Sequence, residues 1–233
     1  MSARTLVLVR HGRTEWNATG RLQGHADVAL DDVGRWQARR GAQTLFRRHQ
    51  AALVVASDLK RAAQTAQAYA DAAGVRVVLD PRLRERGFGQ WEGLTQDELV
   101  DGWPEQYGAW RRGEEPVGIG AESKATVADR MVEAIRGYAD DLDAGQTLAV
   151  VSHGAAISLA IAKLLGQDAS YWRGIAGLNN VHWSQLSRAA AGATPDWRLV
   201  THNAGPDYPL DEWNAGPADL GDDADWISAP SSA

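Results

Sequence analysis

The chain predicts an α/β protein of three layers: a mostly parallel sheet, helices on both of its faces, and an antiparallel edge. Three observations carry this. Short apolar, strand-like runs alternate with longer helix-like runs through most of the sequence, the order that folds into a parallel sheet flanked by helices. Four clusters of polar residues each come at or shortly after the end of a strand-like run. Two late runs, 181–186 and 197–201, are joined by small residues with no helix between them, so they pair antiparallel.

Taken in order, residues 5–9 form the first strand, ending at Arg10-His11-Gly12. Asp31-Asp32 offers an N-cap for a helix reaching about Arg48. A strand at 52–56 follows, then an Ala-rich helix over 58–73 that Gly74 ends. Residues 75–79 are the next strand. Residues 81–120 mix Gly, Pro and Trp with short helical patches and read as an insertion covering the site. Val127, Met131, Ile135, Tyr138 and Leu142 form an apolar stripe at helical period, with Gly145 as the stop. A strand at 147–151 leads into a helix over 153–165 that Gly166 ends. There is no internal repeat.

Composition narrows the function classes. A length of 233 residues with 44% hydrophobic content suits one large α/β domain. No segment reaches the roughly 20 apolar residues that span a bilayer. Arg10 interrupts the apolar run 6–9, which excludes it as a signal-peptide core. The expectation is a cytoplasmic protein with no membrane partner. The absence of cysteine excludes disulfides, thiolate catalysis and thiolate-bound zinc. Net charge is −6, and the stretch from residue 203 onward carries −7 with no Lys or Arg, leaving +1 for the body. No basic stripe of the kind that binds nucleic acid appears. The tail is rich in Pro, Gly, Ser and Asp, a composition of solvated extensions. Tyr208, Leu210, Trp213 and Trp226 are its anchors if it docks on the body. Both arrangements are open.

In an open α/β sheet, turns after strands gather at the carboxyl edge, where ligands bind. Folding therefore brings Arg10-His11-Gly12, Ser57-Asp58-Leu59-Lys60-Arg61, Arg82-Leu83-Arg84-Glu85 and Ser152-His153-Gly154 together. Two histidines, two arginines and a glutamate suit phosphoryl transfer. An imidazole with an unprotonated nitrogen is a nucleophile, and arginine forks onto phosphate oxygens. Gly12 is expected to let the backbone approach a bound phosphate. Alone, the Arg-His-Gly tripeptide reads first as an ordinary polar turn after a strand.

The residues around it extend the pattern. Thr14-Glu15-Trp16-Asn17, Leu22-Gln23-Gly24-His25-Ala26-Asp27, Ser57 to Thr65 and Ser152-His153-Gly154 together resemble the histidine phosphatase superfamily, which includes the cofactor-dependent phosphoglycerate mutases. The resemblance covers roughly residues 4–203. It implies a histidine phosphatase domain over 1–203 with a phosphoglycerate mutase-like fold, and the acidic stretch 204–233 is then a C-terminal extension beyond it. It also implies a phosphohistidine intermediate with no metal and no cofactor. By position it implies His11 as nucleophile and Glu85 as proton donor. Arg10, Arg61 and His153 would surround the phosphoryl group, Asn17 would complete the pocket, and Gln23 would contact substrate. The partner is then a small phosphorylated metabolite. A homodimer is left open.

The insertion Gly87-Phe88-Gly89-Gln90-Trp91-Glu92-Gly93-Leu94-Thr95 is similar to the phosphatase branch, while Arg111-Arg112 is a mutase-like feature. Asn180 to Ser187, with Trp197-Arg198-Leu199, resembles actinobacterial phosphatases acting on glucosyl-3-phosphoglycerate. The alternatives are a phosphoglycerate mutase, an α-ribazole phosphatase, or a member that binds phosphorylated ligands without turnover. His25, His49, His182 and His202 lack metal-ligand spacing and read as structural or surface histidines. Gly118 to Ser123 lacks the lysine of a P-loop and reads as the start of a helix capped by Ser123. Among ten tryptophans, Trp16, Trp91 and Trp103 are the candidates for lining the pocket.

Overall fold

A computed structural model describes residues 3–218. In chain order the elements are β1 (Thr5–Arg10), α1 (Glu15–Ala18), α2 (Asp32–Arg48), β2 (Leu53–Ala56), α3 (Lys60–Ala73) and β3 (Val77–Leu79). Two 3-10 turns, Pro81–Leu83 and Gly89–Trp91, precede α4 (Gln96–Gly102) and α5 (Pro104–Arg112). Then come α6 (Lys124–Asp140), β4 (Thr147–Ser152), α7 (Gly154–Leu164), β5 (Trp183–Arg188), β6 (Trp197–Ala204) and α8 (Leu210–Ala215).

The six strands form one sheet in the order β3-β2-β4-β1-β5-β6. The pairs β3–β2, β2–β4 and β4–β1 are parallel, whereas β5 runs antiparallel to both β1 and β6. Strand alternation sorts the core into two layers. Leu6, Leu8, Val55, Leu148 and Val150 face α6 and α7, meeting Met131, Ile135, Ile157 and Ile161. Val7, Val9, Val54, Ala149 and Val151 face α2 and α3, meeting Leu45, Ala62, Ala66 and Tyr69. The central strands are therefore buried on both faces, which is why they read as continuous apolar runs.

Local chemistry sets most boundaries. The Asp31 carboxylate accepts from Gly34 N–H and starts α2, and the Ser123 hydroxyl accepts from Thr126 N–H and starts α6. Gly74 ends α3 in the left-handed region at φ 68°. Helix α6 departs from expectation. It stops at Asp140, so Leu142 packs against the core from beyond the helix, and Gly145, at φ 99°, lies in the turn entering β4.

Of the acidic tail, the part up to residue 218 is described. Helix α8 packs on α2, with Trp213 buried against Val33, Trp36 and Val181. The Trp213 carbonyl accepts from Gln37 Nε2 at 2.8 Å and that of Asn214 from Arg13 at 2.8 Å. Trp226 and the acidic residues from Asp219 on lie outside the described residues.

Candidate active site

Register places the two motif histidines side by side. Arg10 pairs with Ser152 across β1 and β4, and His11 N–H donates to the Ser152 carbonyl at 3.0 Å. The next residues out, His11 and His153, then sit with ring centroids 5.1 Å apart at the carboxyl edge. On the other side of β4, β2 leads to Arg61 in the first turn of α3. Glu85 arrives from the segment after β3. A hole of about 130 Å³ is lined by Arg10, His11, Asn17, Gln23, Arg61 and Glu85. Six of the seven predicted site residues thus converge there. The seventh, His153, is fully buried behind it, beside His11 and Arg61.

Hydrogen bonds decide the tautomers. His11 Nδ1 lies 2.7 Å from the Gly12 carbonyl, which can only accept. Nδ1 therefore carries the proton and Nε2 keeps a lone pair. In His153 the roles reverse. Arg61 Nε donates to Nδ1 at 3.2 Å, so the proton lies on Nε2, a buried atom with no partner. Arg61 itself is fixed by the carbonyls of Gly24 and Ala26 at 2.8 and 2.7 Å. Arg10 donates through Nη1 to the Leu178 carbonyl at 2.6 Å, leaving its buried Nε unpartnered. Gln23 Oε1 is likewise unpartnered. Asn17 Oδ1 is engaged by Thr14 and Asn180, which leaves Nδ2 for the hole. Of these atoms Arg10 Nε and His153 Nε2 are unmet buried donors beside one lone pair, which an anionic, electrophilic ligand would satisfy, whereas Gln23 Oε1 is an acceptor and calls for a donor such as a hydroxyl.

The charge state follows from burial. Desolvation, reinforced by Arg61 and Arg10, holds His11 well below the usual imidazole range. Burial and the same neighbours do so for His153. Burial also lowers Arg61, to about 10, against the attraction of Glu85, so it stays cationic at neutral pH. At pH 7 the hole is lined by one neutral imidazole and two guanidinium ions, with the neutral imidazole of His153 buried behind them.

Both histidines have folded-state pKa values below the unfolded value of about 6.5. Unfolding then takes up protons below pH 6.5, so their contribution to stability is complete above that pH and is lost as pH falls. Each can contribute a slope of up to about 1.4 kcal/mol per pH unit. Urea unfolding between pH 6.5 and 5.5 should therefore show a fall in stability that His153→Asn makes smaller by about 1 kcal/mol over that unit, since the unfolded imidazole is only half protonated at its start. An unchanged slope would mean that His153 is already protonated in the folded protein.

Glu85 sits at the amino terminus of α7. Its carboxylate accepts from Arg86 N–H at 2.8 Å, Ala156 N–H at 2.9 Å and Ala155 N–H at 3.2 Å. Its carbonyl accepts from Arg130 and from His25 Nε2, both at 2.8 Å. Behind them, burial would push Glu122 up, but hydrogen bonds from His25, Arg130 and Gly87 N–H hold its carboxyl well below the usual range. His25 is thus a bonded structural histidine that fixes the Glu85 backbone.

Some expectations need correction. A Cβ on Gly12 would stand 2.6 Å from the Gly34 carbonyl and 3.2 Å from Leu30. Its missing side chain thus admits the close approach of α2. Trp91 is fully buried with Leu99 and Tyr107, and Trp103 packs on that same small core. Neither lines the hole. Trp16 packs over Gly93 instead. Sequence reasoning missed Arg21, Leu22 and Phe88, which line the hole. It also missed Asn180, whose Nδ2 donates to the His11 carbonyl at 2.9 Å. The polar Asn179-Asn180 break before β5 was the available signal.

A neutral imidazole with a free lone pair, set among guanidinium groups at the edge of a parallel sheet, is the arrangement of enzymes that move phosphoryl groups through histidine. The sequence pattern of the histidine phosphatase superfamily (branch 1) matches residues 6–204. The glucosyl-3-phosphoglycerate phosphatase of Mycolicibacterium vanbaalenii is 40% identical over 217 residues, covering 88% of this chain and 96% of that one. The enzyme of the same name from Mycobacterium tuberculosis is 37% identical over 224 residues, covering 92% and 96%. A solved structure of mycobacterial glucosyl-3-phosphoglycerate phosphatase with VO3 superposes with a TM-score of 0.75 at 35% identity, covering 86% of this chain and 99% of that one. The chain belongs to the histidine phosphatase superfamily.

Proposed function

We propose that this chain hydrolyses a small phosphomonoester through a phosphohistidine on His11, and that glucosyl-3-phosphoglycerate is the substrate. The observation that carries the mechanism is the pair of tautomers: a lone pair on His11 Nε2 beside an unpartnered N–H on His153 Nε2. The phosphoryl group enters the hole with its oxygens on Arg10 Nε, His153 Nε2 and the Asn17 amide. Arg61 supplies further fixed charge and holds the His153 tautomer. His11 Nε2 attacks phosphorus. The N–P bond forms as the ester P–O bond breaks, and protonated Glu85 gives its proton to the leaving oxygen. Water then attacks the phosphohistidine and its proton passes to Glu85. The P–N bond breaks, and inorganic phosphate leaves His11 as it began. Preorganised cations and donors stabilise charge spread over the transferring oxygens.

The substrate assignment is supported by likeness to the two named mycobacterial phosphatases over most of the chain. The test is steady-state phosphate release. Glucosyl-3-phosphoglycerate is expected to show kcat/KM at least about ten-fold above 3-phosphoglycerate, a difference of about 1.4 kcal/mol that one or two contacts to the glucosyl group can supply. No interconversion of phosphoglycerates is expected. Equal or better turnover of the bare phosphoglycerate would overturn the substrate while leaving the phosphatase chemistry in place.

A further inference from the structure

We propose that the large cleft next to the hole is the chamber for the leaving alcohol, and that Arg111, Arg173 and Trp172 make it select alcohols bearing a carboxylate and a hydroxyl-rich ring. This rests on Glu85 being the proton donor.

The position follows from the donor. A proton donor must lie within hydrogen-bond reach of the leaving oxygen, and the Glu85 carboxylate lies on the Ala155 and Ala156 N–H groups. Gly154 and Ala155 are also the inner wall of a cleft of about 590 Å³. A Cβ on Gly154 would stand 3.7 Å from Arg10 Nε and 4.0 Å from Glu85 Oε2, so this wall borders the reacting groups. Phe88 lines both the hole and the cleft. The hole, at about 130 Å³, has room for little beyond a phosphoryl group. The cleft falls within the range of small-molecule sites. An alcohol of any size that leaves toward Glu85 extends into it.

The lining states what that alcohol carries. Trp110, Trp172, Leu159 and Ile175 give it broad apolar and aromatic walls, suited to the C–H face of a sugar ring. Among the described residues four cations line it, and no Asp or Glu does. Two of the four are already engaged: Arg86 with Glu115 and the Glu122 carbonyl, Lys124 with the Gly113 and Ser170 carbonyls. Arg111 and Arg173 form no ion pair among the described residues. Among the described residues the Arg173 guanidinium reaches only the Arg111 carbonyl, at 3.5 Å. Gly113, at φ 98°, makes room for it, since a Cβ there would stand 2.6 Å from Arg173 Nη1. Both are exposed at the mouth of the cleft, and two guanidinium groups without an ion-pair partner in a wall without acids suit a carboxylate.

The experiment compares kcat/KM for two ester pairs in wild type and variants. For 3-phosphoglycerate against glycerol 3-phosphate, which lacks the carboxylate, Arg111→Gln/Arg173→Gln is expected to lower the preference for the acid at least ten-fold. Arg173→Lys alone should keep most of it. For glucosyl-3-phosphoglycerate against 3-phosphoglycerate, Trp172→Ala should lower the preference for the glucosylated ester. Thermal melting confirms that each variant is folded. An unchanged acid-to-neutral ratio in the double variant, or equal loss on both esters, overturns the chamber. Poor wild-type turnover of the glucosylated ester overturns the substrate reading instead, and the acid-to-neutral ratio still decides the arginines.

Discussion

Replacing His11 with alanine is expected to lower kcat by on the order of 10⁴-fold or more while leaving the fold intact, the scale seen when a covalent nucleophile is deleted. His11 is the one ring at the sheet edge whose inward nitrogen bears a lone pair, because its other nitrogen is spent on the Gly12 carbonyl. His153 cannot substitute. Its only unprotonated nitrogen is occupied by Arg61 Nε, and Arg61 remains a cation. The check is a chase with a radiolabelled phosphomonoester quenched in base, where phosphohistidine survives. Label should appear on the wild type and be absent from His11→Ala. Label carried by His153 would reverse the assignment of the two rings.

Much of this was legible in the sequence because parallel-sheet chemistry is local. Each post-strand turn carries its own functional residue, and the turns meet wherever the strands are neighbours. The adjacency of β2, β4 and β1 then brings Arg61, His153 and His11 together. What was not legible depends on side-chain direction in segments without regular periodicity. Trp91, Trp103 and Trp110 all lie in the insertion. The first two fill its small core, while Trp110 also reaches the cleft. Nothing in the spacing of Trp and Gly there separates these fates. The packing role of Gly12 was not legible for a related reason. A turn glycine frees two directions at once, and only the path of α2 shows that the Gly34 carbonyl takes one of them. Trp213 was named as an anchor, but its indole N–H donating to the Asn180 carbonyl at 2.8 Å is contact across a long chain separation. Through Asn180 it reaches the carbonyl of the nucleophile itself.

The loss caused by Glu85→Gln should depend on the leaving group. The glutamine keeps the size of the side chain but has no proton to give at neutral pH. Its amide also offers one acceptor oxygen where the carboxylate now takes three backbone N–H groups, so some local strain comes with it. On an alkyl ester such as a phosphorylated sugar acid, the departing alkoxide needs that proton, and kcat should fall about 10²–10⁴-fold. A nitrophenolate leaves without one, so the first turnover of nitrophenyl phosphate should be slowed far less, within about ten-fold on the same scale. The second step still needs a base to activate water. With that substrate the variant should therefore release a burst of nitrophenolate close to one per enzyme, then slow as phosphohistidine accumulates. Rapid-mixing absorbance measures both phases. Equal loss in the first turnover on the two substrates would mean that Glu85 only holds the α7 amino terminus in place, and that the proton comes from elsewhere.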